Sequence, residues 1–145
     1  MTGLALVPLR HWHLLALEPQ EAQAALLPAL RDRDAAIGVT LLGPGWAVVE
    51  DGRTLAAGGF DGTSGHYGLT LAWAVLGRGL GARALAGLRR EVVHRLERRV
   101  HVGCEIDPAW DCHRRFARAL GFTFARLERP AWWGGRDVEL WTRAD

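Results

Sequence analysis

The segment Gly77-Arg-Gly-Leu-Gly-Ala-Arg83 has the residue types that an oxyanion needs. Glycines let backbone amides come close to a charged oxygen, and the unpaired N–H groups at a helix start, backed by the helix dipole, favour negative charge. Set between an apolar run and a helical pattern, the segment reads as a pyrophosphate seat; a tight strand-to-helix turn with no ligand is the other reading. Gly79-x-Gly81-x-x-Ala84 also imitates the dinucleotide fingerprint, but too few strand–helix units surround it for a doubly wound dinucleotide domain. Other groupings carry less. His11-Trp-His13 would chelate a metal only in an extended segment, and no third or fourth ligand at metal spacing accompanies it, so no metal is expected. Cys112 and His113 are adjacent, about 100 degrees apart on a helix, and do not make a nucleophile–base pair by themselves. The run Arg89, Arg90, Arg95, Arg98 and Arg99 is interspersed with Glu91 and Glu97, as a solvated helix face is, so nucleic acid is not an expected partner. Trp132 and Trp133, in Pro130-Ala-Trp-Trp-Gly-Gly135, either form a contact surface for substrate, a second copy or a larger assembly, or fold back over the core.

Positioning these residues requires a definite order of elements. Residues 4–8 read as a short strand, and 11–30 as helical, with Leu14, Leu17, Ala24, Leu27 and Leu30 on one side and Pro19 interrupting. A Gly/Pro-punctuated loop follows over 31–45, with a short helix at 35–42. Residues 46–50 and 54–60 are apolar around Asp51-Gly52, the two-residue signal of a type I′ hairpin. After a second turn at 61–65, residues 67–75 read as a largely buried strand. From 80 to 96 the stripe Leu85, Leu88, Val92, Leu96 predicts an amphipathic helix. Over 100–107, Val100, Val102, Cys104 and Ile106 alternate with His101, Gly103, Glu105 and Asp107 as on a strand. Pro108 stops that strand and starts a helix capped by Asp107, which carries Trp110, Phe116 and Leu120 and ends at Gly121. Strands at 122–127 and 138–142 complete the pattern.

The chain has 145 residues, which fits one domain over 1–145, and its 49% hydrophobic content with seven Trp and four Phe excludes a disordered chain. Its longest apolar run, about eight residues at 69–76, falls short of the roughly 20 a spanning helix needs, and no signal-peptide pattern opens the chain. A location in the cytoplasm or within a particle, away from membranes, is the expectation. Cys104 and Cys112 read as reduced thiols. All 18 basic residues are Arg; residues 1–77 hold four against seven acids, and residues 78–143 hold fourteen against eight. The second half should attract anions.

The strand, the Arg78-Gly79-Leu80-Gly81 turn, the long helix, the strand ending in Asp107-Pro108 and the helix closing in Ala119-Leu120-Gly121-Phe122 resemble the GNAT superfamily of N-acetyltransferases. The resemblance covers most of the chain. It implies an α+β domain, a mixed, mostly antiparallel sheet with helices on both faces. The superfamily's acetyl-CoA loop has the form Arg/Gln-x-x-Gly-x-Gly/Ala, which Arg78 to Ala82 follow until Arg83 takes the last small position. The resemblance thus implies that Arg78 and the amides of Gly79, Leu80, Gly81, Ala82 and Arg83 serve the CoA pyrophosphate. It also implies that strands at about 69–75, ending in Ala74 and Val75, and at 100–107 flank the pantetheine arm. More narrowly, the stretches Leu17-Glu-Pro-Gln-Glu-Ala22, Ala72-Trp-Ala-Val-Leu-Gly-Arg78, His113-Arg-Arg-Phe-Ala-Arg-Ala-Leu-Gly-Phe122 and Gly135-Arg-Asp-Val-Glu-Leu-Trp141 are similar to small GNAT-like proteins of tailed phages and prophages, including internal virion proteins of short-tailed phages.

Two functions follow from the resemblance: an acyl-CoA-dependent N-acetyltransferase using acetyl-CoA and an amine acceptor, or a GNAT-fold structural or interaction component of a virion without turnover. For the first, an amine attacks a bound thioester with a base to take its proton. Glu105 is the candidate base, with His101 on the same strand face; an ion pair with one of the many Arg is the alternative for Glu105. The superfamily's tyrosine acid, four residues before the glycine of the Gly-Phe pair, falls on Ala117, and the asparagine usual at the end of the fifth strand is Asp107.

Overall fold

The computed structural model describes residues 3–20, 31–62 and 66–144. The second helical stretch expected before residue 30, with Ala24, Leu27 and Leu30, lies outside the described residues, as does part of the turn at 61–65. The elements run β1 (Leu4–Pro8), α1 (His11–Ala16), α2 (Arg33–Thr40), β2 (Gly45–Glu50), β3 (Arg53–Asp61), a 3₁₀ turn (His66–Gly68), β4 (Thr70–Leu76), α3 (Ala82–Leu96), β5 (Val102–Ile106), α4 (Asp111–Ala119), β6 (Phe122–Glu128), a 3₁₀ turn (Ala131–Trp133) and β7 (Val138–Arg143). The strands hydrogen-bond in the order β1-β2-β3-β4-β5-β7-β6. The β1–β2, β2–β3, β5–β7 and β6–β7 pairs are antiparallel, and β4–β5 is parallel through Thr70 with Val102 and Leu71 with Gly103. This is the mixed, mostly antiparallel sheet that the resemblance implied.

The chain forms two compact units, one of residues 1–64 and 73–88, the other of residues 65–72 and 89–145. In the first, Asp51 (φ 50) and Gly52 (φ 79) both take the left-handed conformation, so the Asp-Gly hairpin is of type I′ as its sequence demands. The register opposes Val7 to Ala47 and Ala47 to Ala57, and these residues share a core with Leu9, Leu14 and Leu17 from the α1 region, Ala36 of α2, and Val75. The other face of the same strands carries Leu4, Leu6 and Val48, and Leu4 packs toward Gly87 of α3. Helices therefore cover both faces. Leu14 is 1% exposed, and full burial of a leucine stabilises by about 1.5–3 kcal/mol. Asp32 starts α2 by accepting from the Ala35 N–H at 3.1 Å, two residues before the expected start.

In the second unit α4 lies on the face of β7 that carries Trp141 and Glu139. Arg118 stands over the Trp141 ring at 5.3 Å, and Arg114 forks Glu139 with two hydrogen bonds of 2.8 Å. Gly121 (φ 92) ends the helix in the left-handed conformation that glycine alone takes freely.

Among the boundaries that depart from the sequence reading, those of β5, α4 and β4 do so for identifiable local reasons. His101 has φ 53, which breaks the alternation expected from Val100; Val100 is left exposed and the strand begins at Val102. Asp107 caps a turn instead of a helix: its Oδ1 accepts from the Ala109 N–H at 2.9 Å and its carbonyl from Trp110, so α4 starts at Asp111. Tyr67, read as the first residue of a strand, has φ 57 within a 3₁₀ turn, and β4 starts at Thr70.

Candidate functional site

In the first unit the glycine segment leaves β4 under tight control. Gly77 N–H donates to Leu55 C=O at 2.7 Å, and a side chain at Gly77 would meet that oxygen at 2.5 Å. The segment at Glu18 to Gln20 straps the turn from outside. Arg78 N–H donates to Glu18 C=O (2.8 Å), Arg78 Nε to Pro19 C=O (3.0 Å), and Gln20 N–H to Leu76 C=O (2.9 Å). Leu80 N–H donates back to Gly77 C=O at 3.3 Å. The first intrahelical bond of α3 is Leu85 N–H to Gly81 C=O, which leaves the N–H groups of Ala82, Arg83 and Ala84 in the first turn without a helical acceptor. Gly81 differs from Gly77 in kind. Its φ is not positive and nothing lies within 4 Å of a side chain placed there, so neither conformation nor packing requires glycine; the room above it is open. Arg53, Arg78 and Arg83 are exposed, and the Arg53 guanidinium lies 3.0 Å from where a Gly79 side chain would stand. Open amides, a helix start and nearby guanidinium groups fit a phosphate-bearing cofactor. Ala74 is exposed, whereas the Val75 side chain belongs to the core, so only its backbone can face a ligand.

In the second unit Glu105 lies on the strand face opposite Cys104 and Ile106, as the alternation predicted. It accepts from Tyr67 Oη at 3.0 Å and from Trp132 Nε1, which lies 2.9 Å from both carboxylate oxygens. Among the described residues no arginine pairs with Glu105, the alternative role held open for it; its partners there are two aromatic donors. The Tyr67 and Trp132 rings stand 5.9 Å apart, and Arg126 stands over Tyr67 at 5.9 Å. Burial first, and the hydrogen bond to Glu105 second, push the Tyr67 hydroxyl above its ordinary value, so it remains a proton-bearing donor at neutral pH. A bulky residue in the left-handed region is an outlier that surrounding contacts must hold. Here the hydroxyl's bond to Glu105 is such a contact. The sequence reading missed Tyr67, the only tyrosine of the chain, although Gly68 beside it signalled a turn.

The remaining candidates fall elsewhere. His101 precedes β5 with a left-handed backbone, outside the strand whose alternation was expected to set its face. Asp107, 7% exposed, accepts from Arg136 at 3.0 Å. Trp132 turns its indole N–H to Glu105 while half its surface stays exposed, and Trp133 lies under Arg136 at 5.5 Å. His11 and His13 lie on α1, where His13 Nδ1 accepts from the Arg10 N–H at 2.9 Å. Cys112 is exposed, and burial pushes the neighbouring His113 below the ordinary histidine value. Among the described residues no group of three His, Cys, Asp or Glu could hold a metal ion, and no helix is long and apolar enough to cross a membrane.

No family model and no curated protein matches the chain. Solved structures do. The chain is similar to yncA of Salmonella typhimurium, a proposed acetyltransferase solved with its cofactor acetyl-CoA, at 15% identity and a TM-score of 0.68, covering 98% of this chain and 94% of that one. A proposed GNAT-family acetyltransferase from Bordetella pertussis gives 17% identity and a TM-score of 0.70, over 97% of this chain and 95% of that one. An N-acetyltransferase from Staphylococcus aureus Mu50 gives 11% and 0.70, over 97% and 98%. At such identities the common property is the architecture, and that architecture is the GNAT acetyltransferase fold.

Proposed function

We propose that the chain is an acyl-CoA-dependent N-acetyltransferase. The observation that carries the reading is Gly81: open space above a glycine that neither backbone nor packing requires, beside first-turn amides of α3 that lack helical acceptors. Arg78, Gly79, Leu80, Gly81, Ala82 and Arg83 receive the cofactor's pyrophosphate, with Ala74 and Val75 along its arm. When bound, acetyl-CoA would supply an activated acyl carbonyl: transfer to the amine would form the amide C–N bond, break the thioester C–S bond with CoA leaving as its thiolate, and free a proton from the amine. Glu105 accepts that proton. Tyr67 and Trp132 are positioning residues, because their three contacts fix both carboxylate oxygens and the carboxylate does not have to be ordered when the acceptor arrives. Ala117, where a tyrosine acid would stand, favours as second reading a GNAT-fold binding component without turnover, of the kind the phage-like sequence stretches suggest.

Calorimetric titration with acetyl-CoA and with CoA tests the reading. Micromolar binding is expected, abolished in Gly81→Leu with the fold unchanged by circular dichroism. Glu105→Gln should bind the cofactor normally and lose acetyl transfer in an acceptor-amine screen. No binding at millimolar ligand would overturn the proposal, while binding without turnover in the unmodified chain selects the second reading.

A further inference from the structure

Arg53 is the first residue of β3 and comes to the glycine segment from outside it. In the sheet register it opposes Glu50 across the Asp51-Gly52 hairpin, a place where opposite charges ordinarily pair. They do not pair here, and among the described residues no carboxylate lies within ion-pair distance of the Arg53 guanidinium. The guanidinium lies instead against Gly79, where an added side chain would meet its Nη2 at 3.0 Å and Leu55 Cδ2 at 3.5 Å. Gly79 has no positive φ, so its backbone does not require glycine; the absence of a side chain there leaves the guanidinium its place. Both residues are exposed. An unpaired cation thus stands at the entry of the turn, while the amides of α3 that lack helical acceptors stand at its exit.

The other guanidinium groups of the segment are placed differently. Arg78 donates from Nε to the Pro19 carbonyl, and Arg83 lies in the first turn of α3 beside the open amides. Gly79 and Gly81 are two residues apart, a span that no backbone conformation stretches beyond about 7 Å. A ligand with one anionic group over Gly81 and a second one sugar away can therefore present the second to Arg53. CoA has such a pair, a pyrophosphate and a phosphate monoester on the ribose. At neutral pH the monoester carries a charge of about −1.5 to −2 and three free acceptor oxygens, the most concentrated charge on the molecule. A guanidinium fork matches two of those oxygens at once. We infer that Arg53 holds the ribose phosphate of the cofactor and makes the site selective for CoA over the same molecule lacking that phosphate. The inference rests on the cofactor reading above and adds to it a contact from outside the glycine segment.

Calorimetric titration with CoA and with dephospho-CoA separates this inference from the reading beneath it. The parent chain should bind CoA about tenfold more tightly than dephospho-CoA, the effect of one charge-assisted contact. Arg53→Met keeps an unbranched side chain at an exposed position and should retain the native circular dichroism. It should bind both compounds alike, at the parent's affinity for dephospho-CoA. Arg83→Met, beside the amides, should weaken both by the same factor and leave the parent's preference in place, which separates a contact with one phosphate from a general loss of positive charge. A parent chain that binds neither compound overturns the cofactor reading and this inference together. Equal affinities in the parent, or a preference for CoA that survives in Arg53→Met, would overturn the inference alone. So would a loss in Arg53→Met shared equally by CoA and dephospho-CoA, which would assign Arg53 to the pyrophosphate.

Discussion

Single side chains in this protein owe their chemistry to which face of a strand they occupy. Cys104 shows the effect most simply: burial first, and the adjacent Glu105 charge second, push its thiol up to about 12, whereas Cys112 stands exposed on α4. Only the thiolate reacts. At pH 8 a thiol reagent should therefore label one cysteine per chain, and Cys112→Ser should remove nearly all fast labelling; fast labelling that survives in the variant would show Cys104 to be accessible and ionised. The placement of Cys104 and Glu105 on opposite faces was legible in the sequence, since a two-residue alternation over Val102, Cys104 and Ile106 leaves no other arrangement. The partners of Glu105 were not. Tyr67 lies 38 positions away and Trp132 lies 27 positions away, and no local rule connects them. Composition, with eighteen arginines, pointed instead to an ion pair, which Glu105 does not make among the described residues.

At the scale of the element, the turns decided where the sequence reading held. The Asp51-Gly52 hairpin and the Gly121 cap were read correctly because each requires a positive φ that few residues accept. The starts of β5 and α4 were misplaced because each residue had two local options: His101 adopts a left-handed backbone instead of extending the strand, and Asp107 closes a turn with its own carboxylate instead of capping the helix. The glycine segment before α3 joins two glycines with separate reasons. Gly77→Ala should lower stability by about 1–3 kcal/mol, since the new methyl would meet the Leu55 carbonyl and neither backbone can yield cheaply. Gly81→Ala should leave the thermal midpoint almost unchanged, having nothing within 4 Å to meet. Thermal denaturation of the two variants checks the distinction, and equal midpoints would remove it.

For the molecule as a whole, the informative feature is how the chain is divided between its compact units. The changes from one unit to the other fall at 64/65, 72/73 and 88/89, the last two inside β4 and inside α3, so neither unit is a continuous piece of sequence. A chain cut after Ser64 keeps the β2–β3 hairpin but lacks Val75 and Trp73, which pack in the same core. Such a fragment should show no cooperative unfolding by calorimetry, and a sharp transition would mean that the missing segment is dispensable. The fold class was legible through the resemblance carried by the Arg78-Gly79-Leu80-Gly81 turn and the elements around it, but this division was not, because it depends on contacts between residues distant in sequence. It also bears on how the protein is made. A hairpin forms within about 1–10 μs of leaving the ribosome. The strand that pairs with the far edge of β3 and the helix turns that complete the unit reach only to Leu88, which at roughly 5–20 residues per second emerge about one to five seconds later. For that interval the nascent chain carries along β3 an unpaired edge that the finished sheet closes, so the exposure to aggregation at that edge belongs to the growing polypeptide and not to the finished one.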